Sequence, residues 1–244
     1  MGSSRGLGFA IAEVLAAEGC RVALNSRDSQ RVTRAAEKLG AAAFPGDVAD
    51  PQAPAQIVAA AADALGGLDL LVTNAGGPPP GAFESFDDAT WARAVDLSLM
   101  SHVRFIRAAL PFLRQSHAAS VLTVSSYSVK QPIPNLILSN SVRAATVGLT
   151  KSLALELGKD GIRFNAILPG WTKTERVLEL MSARAQANAS SVEAELAKQA
   201  AESPLGRLAE PAEFARVAVF MLSPAASYLT GAVLPVDGGM YKGL

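Results

Sequence analysis

Hydrophobic and polar positions along the chain follow two alternating periods. From Gly6 to Gly19 the segment GLGFAIAEVLAAEG repeats apolar residues at helical spacing and stops on a glycine, which predicts a helix with its C-terminal cap. A short strand follows at Arg21–Asn25. A helix around Gln30–Leu39, a strand at Ala41–Phe44, a helix around Ala53–Leu65 and a buried-type strand at Leu68–Thr73 continue a βαβ rhythm. A long helix around Asp87–Gln115 leads to a strand at Ser120–Ser125, a helix around Ser139–Leu157 and a strand at Arg163–Leu168. A helix near Pro211–Leu222 and a strand at Ala232–Val236 complete the series. The expected fold is α/β, one domain over residues 1–244 built on a doubly wound parallel sheet, with ligands beyond the carboxyl ends of its strands.

One stretch departs from this rhythm. Residues 175–203, rich in Ala, Ser, Glu and Gln, follow a Pro-Gly turn and predict a mobile helical lid. The run Gly76-Gly-Pro-Pro-Pro-Gly81 is too short for a linker and predicts a stiff loop at a strand end.

Composition narrows the classes of function. Lys+Arg and Asp+Glu are equal at 22 each and spread along the chain, so no basic stripe points to nucleic acid. Cys20 stands alone, which excludes an internal disulfide and a multi-cysteine metal site; near a strand start it is expected to be inert core. Charges interrupt every apolar run before the roughly 18 to 20 residues that span a bilayer, and no basic segment followed by an apolar one opens the chain. A soluble, cytoplasmic protein with no membrane partner is expected. His102 and His117 lack the clustering of a metal site and are expected to be structural or solvated.

Gly2-Ser-Ser-Arg-Gly6-Leu-Gly8 opens the first helix, where glycines let the backbone approach a ligand and a helix N-terminus offers free N–H groups to a pyrophosphate. Alone, this spacing also fits a small-residue turn that packs a helix on a sheet. Further along, Asp47-Val48 follows a strand, Asn74-Ala75-Gly76 and Pro169-Gly170 each end one, and Val236-Asp-Gly-Gly239 closes the series.

Together these motifs resemble the short-chain dehydrogenase/reductase family over essentially the whole length, closest to its β-ketoacyl carrier-protein reductase-like members, with a Rossmann-like fold. The resemblance implies that Ser4, Arg5, Gly6 and Leu7 line the cofactor phosphates with Gly2 and Gly8. It likewise puts Asp47 and Val48 at the adenine, Asn74, Ala75 and Gly76 at the adjoining ribose, and Pro169, Gly170, Thr172 and Thr174 at the nicotinamide. It further implies a homodimer or homotetramer formed through the long helices. At the end of the second expected strand a carboxylate would favour NAD(H) and an arginine NADP(H). Ser26 and Arg27 stand there, with Arg5 nearby in the glycine loop, so NADP(H) is expected over NAD(H). Asp28, one residue on, is the competing feature.

The family's chemistry uses a tyrosine, a lysine four residues on, a serine and an asparagine. Ser126 matches the serine. Counting back from Gly148-Leu-Thr-Lys-Ser-Leu-Ala puts Ser139 at the tyrosine position and Arg143 at the lysine position, and Ser98 stands for the asparagine. Tyr127, Tyr228 and Tyr241 have no lysine four residues later. A serine hydroxyl is a poor proton donor-acceptor at neutral pH, and a guanidinium stays charged. Tyr127 and Lys130, next to Ser126, are candidate replacement proton donors; the plainer alternative is that Tyr127 packs and Lys130 is a solvated loop charge. Trp91 is expected to pack at a helix start and Trp171 to wall the nicotinamide pocket, with Pro78, Pro79, Pro80 and Phe83 adding apolar surface.

Two functions are compatible with this pattern. One is an NADP-dependent oxidoreductase acting on a partly apolar, 3-oxoacyl-like carbonyl or the matching alcohol through a non-standard site. The other is a catalytically inactive nucleotide-binding protein that serves as sensor or assembly partner. In the family a buried strand precedes the glycine loop, whereas Met1 here stands at that strand's last residue; a longer natural chain is expected, and without that strand a void between its neighbours.

Overall fold

The computed structural model describes residues 1–243 as alternating helices and parallel strands. The elements are α1 (Gly6–Ala17), β1 (Ala23–Ser26), α2 (Ser29–Leu39), β2 (Ala42–Pro45), α3 (Ala53–Leu65), β3 (Leu70–Thr73), α4 (Asp88–Val95), α5 (Ser101–Leu113), β4 (Ser120–Val124), α6 (Ile137–Leu157), β5 (Arg163–Pro169), α7 (Glu175–Ala187), α8 (Val192–Ala201), α9 (Pro211–Leu222) and β6 (Val233–Val236). This is the doubly wound α/β architecture expected from the pattern.

Local chemistry explains the boundaries. Asp28 caps α2 by accepting from Arg31 N, and Gly40 closes the helix in the left-handed region, where a residue without Cβ avoids strain. Pro211 opens α9, with a reciprocal capping box between Glu210 and Glu213. The expected helix over 87–115 is instead two helices joined by a π-helical turn at Asp96–Met100. Apolar periodicity runs through both halves, so the extra residue per turn is invisible in the pattern; such turns are concentrated at functional sites.

Every strand pairing is parallel, but the strands form two groups. β1 pairs with β2, and β3, β4, β5 and β6 pair in that order. A cavity of about 610 Å³ lies between β1 and β3, lined by Leu24, Asn25, Leu71 and Val72, with Ile11 and Phe105 closing it above and below. This is the expected void. Met1 and Ser3 bridge its carboxyl end: the Met1 amine donates to Val72 O at 3.0 Å and Ser3 N to Asn25 O at 2.9 Å.

The central strands of the four-stranded group, β4 and β5, are buried on both faces. Leu122, Val124 and Ile167 pack under α1 and α9, with Phe214, Ala215, Ala218 and Met221 fully buried. Val121 and Phe164 pack on the other face against Phe105, Ala109 and Leu113 of α5. α7 and α8 form a helical pair outside the sheet, seated by Val177, Met181 and Leu208. Cys20 corrects an expectation: it is exposed, because the positive-φ turn at Gly19 leaves it at the amino-terminal rim of the sheet, outside the core. Among the described residues no helix is long and apolar enough to cross a membrane.

Candidate active site

The glycine loop is built by packing before it is available to any ligand. A Cβ on Gly2 would fall on the main-chain oxygen of Asn74, and one on Gly8 would fall on Gly2 O and lie 2.8 Å from Asn74 Nδ2. Asn74 Nδ2 in turn donates to Gly2 O at 2.9 Å, which locks the loop to the end of β3. Ser4 Oγ donates to Ser26 Oγ at 2.9 Å and ties the same loop to β1. Gly2 and Gly8 are therefore required by the close fit of helix to sheet. Gly6 shares the φ of +58° with Gly2 but differs in its space: its nearest neighbour is Thr174 Cγ2, 3.7 Å from where a Cβ would stand.

The N-terminus of α1 fits an anion. Arg5 is its N-cap in extended conformation and gives no side-chain cap, and the first turn holds no acidic residue. The first N–H groups of the helix are thus without an internal side-chain acceptor, at the positive end of its dipole. Ser26 and Arg27 flank this point at the end of β1. Arg27 lies 3.8 Å from Asp47, whose carboxylate also accepts from Ala49 N. Asp28 points elsewhere, since its carboxylate is engaged at the start of α2 at 2.9 Å from Arg31 N. Val48 is buried in the cluster that holds Ile57 and Phe105.

At the opposite end of the groove, Pro169 ends β5 and Gly170 abuts Asp237, whose Cα would lie 2.6 Å from a Cβ at that glycine. Asp237 accepts from Gly239 N and Tyr241 N, so the Val236-Asp-Gly-Gly239 motif is a turn folded onto Gly170. Thr172 is buried with its hydroxyl on Gly170 O, and Thr174 caps α7. Trp171 packs with Leu168, Tyr127 and Met240 on one side and with Val177 and Met181 on the other, under the Arg184 guanidinium 5.3 Å from its ring.

Between these ends stand the residues expected to carry chemistry. Ser126 follows β4 and accepts from Ser128 N at 3.2 Å. Ser139 is half-buried in the first turn of α6 and Arg143 is buried one turn later. Arg143 donates to Ser125 O at 3.3 Å and to Ala75 O and Gly76 O at 3.4 Å each, so it clamps the ends of β3 and β4 to α6. Burial, with a contribution from Arg176, lowers its pKa to about 10, still a cation at neutral pH.

Ser98 lies against α6 in the turn between α4 and α5. It is fully buried in the π-helical turn; its hydroxyl has no partner and its carbonyl accepts from Thr146 Oγ at 2.6 Å. His102 is buried nearby without a partner on either ring nitrogen, and desolvation pushes its pKa down to about 3. His117 is exposed. Tyr127 is buried, and desolvation first, then Glu202, raises its phenol pKa. Lys130 lies over the Tyr241 ring at 5.1 Å. Trp91 meets Phe83 edge-on at 6.4 Å and packs on Leu138 and Val142. Among the described residues no cluster of His, Cys, Asp or Glu could hold a metal. The cavity inside the sheet shares Gly8 and Ser3 with the glycine loop but includes none of Ser126, Ser139 or Arg143, so it is not the reaction site.

Two site residues carry no sequence signal. Glu175 and Glu179, on α7, both bind Arg5, a contact over some 170 positions that no local pattern encodes.

A family model described as enoyl-(acyl carrier protein) reductase matches residues 2–241. The L-rhamnose 1-dehydrogenase (NAD(P)(+)) of Sphingomonas sp. strain SKA58 is 36% identical, with 100% of this chain and 95% of that protein aligned. The crystal structure of L-sorbose reductase from Gluconobacter frateurii, complexed with NADPH and L-sorbose, superposes with a TM-score of 0.94 at 33% identity, covering 100% of this chain and 95% of that one. An NADPH-bound short chain oxidoreductase from Pseudomonas aeruginosa PAO1, described as containing an atypical catalytic center, superposes with a TM-score of 0.90 at 32% identity, with the same coverage.

Proposed function

The chain belongs to the short-chain dehydrogenase/reductase family of NAD(P)-dependent oxidoreductases acting on alcohols and carbonyls, and from that premise we propose that it reduces a 3-oxoacyl-like carbonyl with NADPH through a non-standard site. The observation that carries this reading is the pair Ser139 and Arg143 on α6, beside Ser126, where the family resemblance puts tyrosine and lysine. The N-terminus of α1 would hold the phosphates of the dinucleotide. Asn74 to Gly76 at the end of β3 would hold its ribose, and Thr172 and Thr174 beyond β5 its nicotinamide. When bound, the reduced nicotinamide supplies the hydride.

NADPH is preferred because Asp28 is committed to capping α2. Ser26 and Arg27 then meet the 2′-phosphate without a competing carboxylate from the end of β1. The hydroxyls of Ser126 and Ser139 hold the carbonyl oxygen, and the buried positive charge of Arg143 stabilises the alkoxide as it forms. Arg143 keeps its proton. The proton that completes the alcohol comes from Tyr127 or Lys130, the donors adjoining Ser126. Burial raises the Tyr127 phenol pKa, which makes it a weaker acid than a free phenol and counts against it as the donor. The protein works as a homodimer or homotetramer in the cytoplasm, self-associating through α5 and α6, where Leu155 is 79% exposed.

The second reading, nucleotide binding without turnover, rests on the same substitutions, which remove the usual proton donor. Titration with NADPH and NADH, followed by turnover over 3-oxoacyl thioesters and ketoses, separates the two. Tighter binding of NADH refutes the cofactor assignment, and binding without turnover across the panel favours the second reading. Unchanged turnover in both Tyr127→Phe and Lys130→Met rejects these residues as donors.

A further inference from the structure

Arg5 is occupied by the helix that roofs it. Its guanidinium donates to Glu175 at 2.6 Å and to Glu179 at 3.2 Å, carboxylates one turn apart at the start of α7. Thr174, the cap of α7, stands over Gly6. The beginning of α7 thus covers the uncapped N-terminus of α1. Two carboxylates converging on Arg5 Nη1, beside the positive end of a helix dipole, offer the negative charge that a phosphate offers. The Arg5 hydrogen bond holds the Glu175 carboxyl below its usual range, so that partner stays ionised. Glu179 is also 3.8 Å from Arg176, and Arg31 adds positive charge near Glu175.

We propose that Glu175 and Glu179 are an internal stand-in for the cofactor's phosphate, occupying Arg5 until the dinucleotide displaces them and thereby frees the start of α7. This rests on the dinucleotide-binding reading above. Both carboxylates bind Arg5 through the same Nη1, so a phosphate at the head of α1 competes with them for the positive charge of the guanidinium and repels Glu175. Displacement therefore releases the Glu175 and Glu179 side chains from Arg5, while Thr174 caps α7 and Val177 and Met181, packed on Leu208, keep the helix attached. Glu175 and Glu179 become specificity-determining residues, because a ligand reaches Arg5 only if its anionic group outcompetes them. Both ion pairs are exposed and such pairs are weak, so the latch yields readily: its removal changes cofactor affinity by about two- to tenfold.

The test uses the whole protein, its Glu175→Gln/Glu179→Gln double variant and Arg5→Gln. NADPH affinity is measured by titration at low and high salt, and amide hydrogen exchange of residues 175–187 is followed without ligand and with inorganic pyrophosphate. The double variant is expected to bind NADPH two- to tenfold more tightly than the parent at low salt, with the difference shrinking at high salt. Exchange at the start of α7 is expected to be faster in both variants, and pyrophosphate is expected to accelerate it in the parent alone. Equal affinity and equal exchange in parent and double variant overturn the proposal. A parent that binds neither NADPH nor NADH overturns the function proposed above instead; the pyrophosphate arm then decides the latch by itself, release supporting it and no release overturning it.

Discussion

The Arg143 guanidinium donates to the main-chain oxygen of Ser125 at 3.3 Å, placing a buried cation directly beneath the loop that presents Ser126. With Ala75 O and Gly76 O as its other acceptors, Arg143 has carbonyl partners only in these contacts. Its side chain therefore has a structural role and supplies a local positive charge. Arg143→Met leaves three carbonyls without their donor and is expected to lower stability by about 1 to 3 kcal/mol in urea unfolding. Arg143→Lys is expected to recover part of that loss. Equal stability of all three proteins would show that the clamp holds nothing.

Restoring the family's pair tests what its substitution costs. In Ser139→Tyr/Arg143→Lys, a phenol next to an ammonium supplies general acid-base catalysis, for which a gain of about a hundredfold or more in carbonyl reduction is expected. Either single variant gains less, because tyrosine needs the cation and lysine needs the phenol. Steady-state NADPH oxidation measures it, and no gain in the double variant counts against Ser139 and Arg143 as the reacting positions.

His102 makes stability fall in acid. Its imidazole is neutral in the fold with a pKa of about 3 against 6.5 when exposed, so the unfolded chain takes up the proton first as pH drops. Stability is complete above about pH 6.5 and is lost toward pH 3, at about 1.4 kcal/mol per unit. His102→Leu removes this linkage. From pH 7 to pH 5 the parent is expected to lose about 2 kcal/mol more than the variant in urea midpoints, whereas parallel losses would mean that His102 is already solvated.

Arg27 is expected to discriminate between cofactors. Arg27→Ala removes a charged donor beside the 2′-phosphate position and its 3.8 Å approach to Asp47. NADPH binding should weaken about tenfold or more while NADH binding stays within about twofold, as hydrogen bonds to charged groups are worth about 1.5 to 3 kcal/mol. Equal weakening for the two would place Arg27 elsewhere on the cofactor.

The glycines of the loop should not be equivalent. Gly8→Ala drives a methyl into Gly2 O and Asn74 and is expected to cost about 1 to 3 kcal/mol. Gly6→Ala has room beside Thr174 and is strained only by its φ of +58°, about 1 to 2 kcal/mol. Thermal unfolding of the two variants ranks them, and a milder effect at Gly8 contradicts the packing.

The sequence alone determined the succession of elements, the parallel sheet and which motifs stand at its strand ends. Each of these rests on local spacing: apolar periods set helices and strands, caps such as Asp28 and Gly40 set their ends, and the glycine, Asn-Ala-Gly and Pro-Gly motifs lie at strand ends where a doubly wound sheet gathers its ligands. The family resemblance also pointed to Ser139 and Arg143, counted back from Gly148-Leu-Thr-Lys on the same helix. Tertiary structure alone decided what those residues touch. The π-helical turn that buries Ser98, the capture of Arg143 by three carbonyls and the hold of Glu175 and Glu179 on Arg5 all join positions far apart in the chain. Such contacts leave no period or spacing behind, since they are fixed by how finished elements pack and not by the residues beside them.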